Sequence, residues 1–375
     1  MSLRHLLAPL LLLLAAGCAS DSPTGPSVDA APTPTPSAPA TPPPVLHDVS
    51  LVVFYDEDGN GALDPSEGVR LPGVTVESGA QSAVTGGGGS AVLKVAEGSQ
   101  TVKLRQSSLP SYYQAGQGVS LQVPQTTQIV VPATLPITGV RHNVYMAFGD
   151  SITLGEGSSD GNGYRQHLQY LLRGHFGHAT VENEGISGTR SNRGAERLPD
   201  SLAARTPAFT LIMYGTNDWN DRGCQLEPPC FTIDSLHEMV RTTRAAGSLP
   251  ILATIPLPNT GYDERVPPQR EDWVESQNER LALMAAEEKV VLVNMEEALP
   301  NNVDRSNLYF DHLHPNDRGY ERMADAWFAA LTRPQGATAA DTMTLAEAIA
   351  SVVAAPLAPS DSLGPDLLPL RGRRR

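Results

Sequence analysis

The chain has 375 residues, room for two domains with tails at about 100–200 residues per domain. Its formal net charge is −14, which argues against nucleic acid as a partner, because an acidic surface repels a polyphosphate. Lysine occurs only at Lys94, Lys103 and Lys289, so arginine supplies nearly all the positive charge, a bias of codon usage and not a phosphate site.

Residues 1–17 carry Arg4 and then the apolar run Leu6 to Ala16. That run is too short to span a bilayer as a mature helix but suits the core of a signal peptide. It ends Leu14-Ala15-Ala16-Gly17-Cys18, which resembles the bacterial lipoprotein box. The resemblance implies export, lipidation of Cys18 and a membrane anchor in the cell envelope, with Ala19 favouring the outer membrane. An ordinary cleaved signal with an incidental cysteine is the alternative. Setting Cys18 aside leaves Cys224 and Cys230, an even pair close in sequence in an exported chain. A disulfide is expected between them, with two free buried thiols as the alternative.

Residues 18–46 are Pro, Ala, Thr and Ser with almost no large apolar side chains. Such a segment cannot bury enough surface to offset its ordering entropy and reads as an extended tether of polyproline character.

Residues 47–137 show strand-like runs at Val49 to Tyr55, Val74 to Glu77, Ala91 to Val95, Thr101 to Leu104 and Gln128 to Val131. Glycine and proline separate them, which predicts a small β-sandwich. Between the first two runs, Asp56, Asp58, Asn60, Asp64 and Glu67 stand at the first, third, fifth, ninth and twelfth positions of a loop with Gly61 at the sixth. That is the spacing of a calcium loop, in which Glu67 can bind with both oxygens and Ala62 contributes its carbonyl. The flanks are strands, so an EF-hand domain is not expected. With Leu71-Pro72-Gly73-Val74-Thr75-Val76 following, the stretch resembles the calcium-binding B-type Ig-like modules of bacterial surface proteins. The resemblance implies a structural Ca2+; a solvated acidic turn is the alternative.

Residues 139–334 change to strands alternating with helices. Strands are predicted at Val144 to Phe148, Ala179 to Glu182, Phe209 to Tyr214, Ile251 to Ile255 and Val290 to Asn294. Helical patterns cover Ile233 to Ala246, Asp272 to Glu288 and Asp317 to Leu331, and another places Tyr164, Leu168, Leu171, Leu172 and Phe176 on one face. Five strands alternating with helices imply a parallel sheet covered on both faces.

Four blocks fall where such a sheet collects its loops. They are Gly149-Asp150-Ser151, Asn183-Glu184-Gly185-Ile186-Ser187-Gly188, Gly215-Thr216-Asn217-Asp218 and Asp311-His312-Leu313-His314-Pro315. Their order and content resemble the SGNH, or GDSL, esterase and lipase family over about half the chain. The resemblance implies a flavodoxin-like three-layer α/β/α fold with a five-stranded parallel sheet. It also implies hydrolysis of carboxylic esters through an acyl-serine intermediate. Ser151 would be the nucleophile, His314 the base and Asp311 the group that orients it. The oxyanion donors would be the Ser151 amide, the Gly188 amide and the Asn217 side chain. No catalytic cofactor is expected, since no second ligand cluster accompanies the His/Asp pairs.

Two decoys compete. Gly157-Ser158-Ser159-Asp160-Gly161 fits the nucleophile-elbow pattern, but no buried strand immediately precedes it, so Ser159 is expected at the surface. His312 neighbours His314 but lacks the family spacing. Trp219 could line the pocket or simply pack. Short acyl esters, O-acetyl groups on polysaccharides and lysophospholipids are the candidate substrates. The rival reading is a non-catalytic surface adhesin that binds glycans with a hydrolase-like domain. Residues 335–375 are expected to be disordered, and Arg371-Gly372-Arg373-Arg374-Arg375 reads as a solvated charge run.

Overall fold

A computed structural model describes residues 43–226, 230–260, 262–263, 266–300 and 307–337. The signal peptide, Cys18, most of the tether and nearly all of the tail lie outside these residues.

The first domain is built from strands β1 (Leu46–Tyr55), β2 (Thr75–Ser78), β3 (Gln81–Val84), β4 (Ser90–Ala96), β5 (Gly98–Leu104), β6 (Gln114–Ala115), β7 (Val119–Val123) and β8 (Gln128–Thr134). They form two four-stranded sheets, ordered β4-β1-β8-β6 and β3-β2-β5-β7. Val49, Leu51 and Val53 of β1 share one buried core with Val76, Val102, Leu104, Leu121 and Val123 of the second sheet. Alternation in β1 gives that core its inward residues, as a half-buried strand requires. The sequence reading located the five longer runs on these strands. It passed over β3, β6 and β7, which are short or polar on alternate positions.

The second domain carries strands β9 (Arg141–Gly149), β10 (Thr180–Gly185), β11 (Pro207–Met213), β12 (Leu249–Ala253) and β13 (Val291–Val293). They pair in parallel in the order β10-β9-β11-β12-β13, a doubly wound sheet with its switch point between β9 and β11. The helices are α1 (Ser151–Leu154), α2 (Tyr164–Phe176), α3 (Ser191–Arg205), α4 (Arg222–Leu226), α5 (Thr232–Ala245), α6 (Pro268–Glu288), α7 (Met295–Ala298) and α8 (Asp317–Thr332).

Alternate residues of each strand separate the two faces. Tyr145, Ala147, Leu211 and Ile251 pack with Leu168 and Leu172 of α2 and with Tyr320, Met323 and Trp327 of α8. Met146, Phe148, Ile212 and Leu252 pack on the other face against Leu198 and Leu202 of α3, Met239 and Val240 of α5, and Leu281 of α6. Both faces being covered explains why β11 and β12 read as continuous apolar runs. This is the three-layer α/β fold expected from the sequence.

Helix α3 is not evident from periodicity. Pro199 stands inside it and most of its residues are polar or small, so its apolar stripe shrinks to Ala195, Leu198 and Leu202.

The first domain packs at the N-terminal end of the parallel sheet. Tyr112 donates its hydroxyl to the Pro250 carbonyl (2.6 Å) and accepts from the Val291 amide (3.3 Å), at the starts of β12 and β13. Tyr55 meets His142 Nδ1 near the start of β9 at 2.6 Å. Buried residues of both domains belong to one continuous apolar core. After α8 the chain returns to the first domain, where the Gln335 amide nitrogen donates to the carbonyls of Leu109 and its side chain to those of Pro110 and Tyr113. The C-terminal ends of the strands are left to carry the loops.

Candidate active site

Strand β9 delivers Gly149 to the C-terminal rim of the sheet, and the chain turns at once into α1. Asp150 caps that helix, its carboxylate accepting from the Ile152 amide at 3.0 Å. Ser151 is therefore the first residue of the helix. His314 comes from the loop before α8, and its Nε2 lies 3.0 Å from Ser151 Oγ. Its Nδ1 lies 2.9 Å from Asp311 Oδ2. The second oxygen of Asp311 accepts from the backbone amides of Leu313 and His314, each at 2.7 Å.

These contacts fix the electrostatics. Partial burial pushes the Asp311 carboxyl up, but the hydrogen bonds from His314 and Leu313 outweigh it and hold the group below the ordinary range. An ionised Asp311 requires the His314 proton on Nδ1, which leaves Nε2 free to accept from Ser151. A hydroxyl, an imidazole and a carboxylate in this chain can move a proton off the serine as it attacks a carbonyl.

Of the three expected oxyanion donors, two are brought to this rim by distances to its other residues. Ser151 heads its short helix, and Asn217 follows β11 and is buried. The Asn217 amide nitrogen lies 3.1 Å from the Thr189 carbonyl and 3.3 Å from Asp150 Oδ2. Gly188 sits in the turn after β10, next to Thr189. Its φ is +70°, a left-handed conformation, and a Cβ there would meet nothing within 4 Å. Glycine suits position 188 by conformation, because a left-handed backbone favours a residue without a Cβ.

Buried and half-buried polar groups whose roles the sequence did not announce hold these loops. Asp218 accepts from the Ser191 amide (2.8 Å), the Ser191 hydroxyl (2.6 Å) and the Thr232 hydroxyl (2.8 Å), tying the third block to α3 and α5. Arg197 donates to the carbonyls of Gly149 (3.0 Å) and Glu184 (2.6 Å), and its guanidinium lies 4.0 Å from the centre of the Phe148 ring. Arg270 donates to the Thr216 carbonyl at 2.8 Å from a buried position; burial pulls its pKa down to about 10, against the opposing pull of Asp150. No short motif announces such residues, because each is recognised only by the backbone it reaches. Glu156 is a further unexpected neighbour: its Oε2 lies 3.3 Å from His314 Nε2.

Ser159 is exposed, as expected, and its amide donates to Asp317. His312 lies beside Asp311 with Nδ1 3.8 Å from Oδ1, while its carbonyl accepts from the Asn259 amide. Cys224 and Cys230 are disulfide-bonded. Trp219 packs edge-on against Trp273, with ring centres 5.9 Å apart.

The acidic loop lies in the first domain, away from this centre. Carboxylate oxygens of Asp56, Asp58 and Glu67 come within 4.8 Å of one another, and Asp56 and Glu67 are buried. Asp56 accepts from the amides of Gly59 and Gly61, and Glu67 from those of Glu57 and Asp64. The Asn60 side chain bridges Asp58 and Asp64 while accepting from the Ala62 amide. Three converging carboxylates are an all-oxygen donor set, which fits a hard dication such as Ca2+.

A model of the GDSL-like lipase/acylhydrolase family matches residues 147–322, a span that takes in the Gly149–Ser151 turn and His314. Esterase TesA of Pseudomonas aeruginosa is 32% identical over 148 residues, 40% of this chain and 68% of that protein. The thioesterase 1/protease 1/lysophospholipase L1 of Escherichia coli K12 is 37% identical over 79 residues, 21% of this chain and 36% of its own length. Among solved structures, a member of the lipolytic protein G-D-S-L family from Veillonella parvula has a TM-score of 0.42 at 21% identity, covering 52% of this chain and 100% of that one. The chain belongs to the GDSL-like lipase/acylhydrolase family and is a carboxylic ester hydrolase.

Proposed function

We propose that Ser151, His314 and Asp311 hydrolyse carboxylic esters through an acyl-serine intermediate. The observation that carries this reading is the continuous chain from Ser151 Oγ through both nitrogens of His314 to Asp311. Ser151 Oγ attacks the ester carbonyl as His314 Nε2 takes its proton. The carbonyl π electrons move to oxygen, and the amides of Ser151 and Gly188 with the Asn217 side chain stabilise that charge. Collapse breaks the C–O bond, and His314 returns the proton to the leaving alcohol. Water, activated by the same imidazole, then releases the acid and regenerates the serine. Asp311 holds the ring and stabilises the imidazolium without itself taking the proton.

Substrates in this reading are short-acyl, carbohydrate O-acyl or lysophospholipid-type esters; the lysophospholipase name of the Escherichia coli relative supports keeping the last class. Labelling with a serine-directed phosphonate, followed by peptide mapping, tests the assignment. The adduct is expected on Ser151; an adduct on Ser159 would sink it.

The remaining parts of the reading surround this chemistry. We read the two sheets of residues 47–137 as a β-sandwich of the B-type Ig-like kind, with Asp56, Asp58, Asn60, Ala62, Asp64 and Glu67 holding Ca2+. The ion would neutralise the converging carboxylates and take no part in ester cleavage. Cys18 would carry the lipid anchor, and residues 18–46 would hold the body away from the outer membrane. Among the described residues no helix is long and apolar enough to cross a membrane. Loss of membrane partition in Cys18→Ser is the expected outcome; unchanged partition would remove the anchor from this reading.

A further inference from the structure

The position of Glu156 is built. Its amide donates to the Ser151 carbonyl at 3.1 Å, and its carbonyl accepts from the Tyr320 hydroxyl at 2.6 Å. Gly157 follows with φ +92°, and a Cβ there would come 2.5 Å from the Pro315 carbonyl oxygen. Backbone on both sides of Glu156 is therefore fixed relative to the serine and to the histidine loop. From that mount its carboxylate reaches His314 Nε2 at 3.3 Å, while the serine hydroxyl lies at 3.0 Å from the same nitrogen. The side chain is 40% exposed, open to whatever enters the site. The proton transfer from Ser151 to His314, with Asp311 holding the ring, does not use it.

The location says which part of a substrate it faces. In the proposed cycle His314 Nε2 must give its proton to the leaving oxygen, so that oxygen sits within hydrogen-bond reach of Nε2. A carboxylate touching the same nitrogen then borders the alcohol half of the ester and not the acyl half. A carboxylate only accepts hydrogen bonds. Its fitting partner is a hydroxyl on the carbon adjacent to the one that bears the ester oxygen. We infer that Glu156 is a specificity-determining residue that selects esters of neutral polyols, whose second hydroxyl it binds beside the leaving oxygen. Glycerol and sugars both supply that chemistry. The inference rests on the assignment of His314 above. As the C–O bond breaks, its electron pair stays on the leaving oxygen, which takes the Nε2 proton. The neighbouring hydroxyl keeps its own proton throughout and donates to Glu156.

The test holds the acyl group constant and varies the alcohol. Methyl butyrate, 1-monobutyrin and a mono-O-butyryl methyl glucoside are compared with wild type, Glu156→Gln and Glu156→Ala. Wild type is expected to favour at least one polyol ester over the methyl ester in kcat/KM. Glu156→Ala should shrink that preference by about tenfold, the effect of losing a hydrogen bond to a charged acceptor, with Glu156→Gln between the two. Whichever polyol ester loses more identifies the source. An equal fall on all three esters would mean that Glu156 acts on His314 itself, and an unchanged preference would mean that it faces no substrate hydroxyl. Either overturns the inference while leaving the phosphonate adduct on Ser151 intact. Absence of that adduct in wild type would instead overturn the site assignment, and this inference with it.

Discussion

The Asn217 amide nitrogen lies 3.3 Å from an oxygen of the Asp150 carboxylate, so the residue before the serine also orients the side chain assigned to the oxyanion. The same nitrogen reaches the Thr189 carbonyl at 3.1 Å. Both hydrogens of this amide are engaged before substrate arrives, which holds the side chain at the rim, and one of them must turn to the oxyanion as charge develops. Asn217→Ala should lower kcat by about a hundredfold or more while KM changes little, because the donor acts where charge develops. Steady-state kinetics on a chromogenic ester checks this. A rise in KM at constant kcat would place Asn217 in ground-state binding.

Asp150 also makes a pH prediction. Burial raises its pKa from 3.8 to about 7, with Asp218 and Glu156 adding to the rise and the Ile152 amide and His314 opposing it. Between those values the folded chain holds a proton that the unfolded chain has released. Unfolding free energy should therefore fall as pH rises from about 4 to about 7, by on the order of 4 kcal/mol at ~1.4 kcal/mol per unit. Asp150→Asn keeps an acceptor for the Ile152 amide and removes the titration. Urea denaturation across this range should give a flatter pH profile for the variant; parallel profiles would refute the burial penalty.

The catalytic chain predicts a graded series. Ser151→Ala should abolish acylation, and with it phosphonate labelling. His314→Ala should cripple both half-reactions, since one imidazole serves both. Asp311→Asn should retain more activity than His314→Ala, because the histidine remains but loses its charged acceptor. Ser159→Ala and His312→Ala should stay within a few-fold of wild type. A collapse of activity in His312→Ala would shift the assignment of the base.

The residues assigned as nucleophile, base and acid were legible through resemblance, because each sits at a strand end or before a helix in a short block. Asp311 and His314, three residues apart, have the spacing of the family they resemble, and that resemblance separated His314 from His312. Arg197 and Asp218 were not readable as supports. Arg197 acts through the carbonyls of Gly149 and Glu184, and any residue type offers a carbonyl. Glu156 meets His314 only because the chain between α1 and α2 folds back onto the loop before α8. The parallel sheet was readable from apolar runs that a doubly covered strand requires. Helix α3 was hidden by Pro199 and its polar surface. The shared core of the two domains was hidden too, since a contact between Tyr113 and Phe176 leaves no local pattern.

The disulfide gives a stability prediction. The bond closes a short loop, over which Trp273 donates to the Cys224 carbonyl at 3.0 Å. In the entropy model such a loop constrains the unfolded chain by about 2 kcal/mol. Replacing both cysteines by serine should lower stability by about that amount. Alkylation of the oxidised chain lacking residues 1–18 should find no thiol before reductant is added. Two alkylated cysteines would contradict the bond.

The last prediction joins the acidic loop to the body of the enzyme. Asp56 directly follows β1, whose Tyr55 meets His142 at the start of the strand that ends in the serine turn. Arg70, just past the loop, donates its amide to the Phe176 carbonyl at the end of α2 at 2.8 Å. Val53 and Tyr55 share one apolar core with Phe176 and Leu331. A cation that binds the folded loop and not the unfolded chain stabilises by about 2.7 kcal/mol at a hundredfold excess over Kd. Through the common core that gain should be felt by both domains. Calcium should thus raise the Tm of the chain by several degrees in a single transition, and Asp56→Asn with Glu67→Gln should abolish the shift. Ester hydrolysis well below Tm should survive chelation, because Ser151 lies at the opposite end of the sheet from the loop. Two separate transitions, of which calcium moves only one, would show that the shared core does not couple the domains. Immediate loss of hydrolysis on chelation at low temperature would show that the loop acts on the site itself.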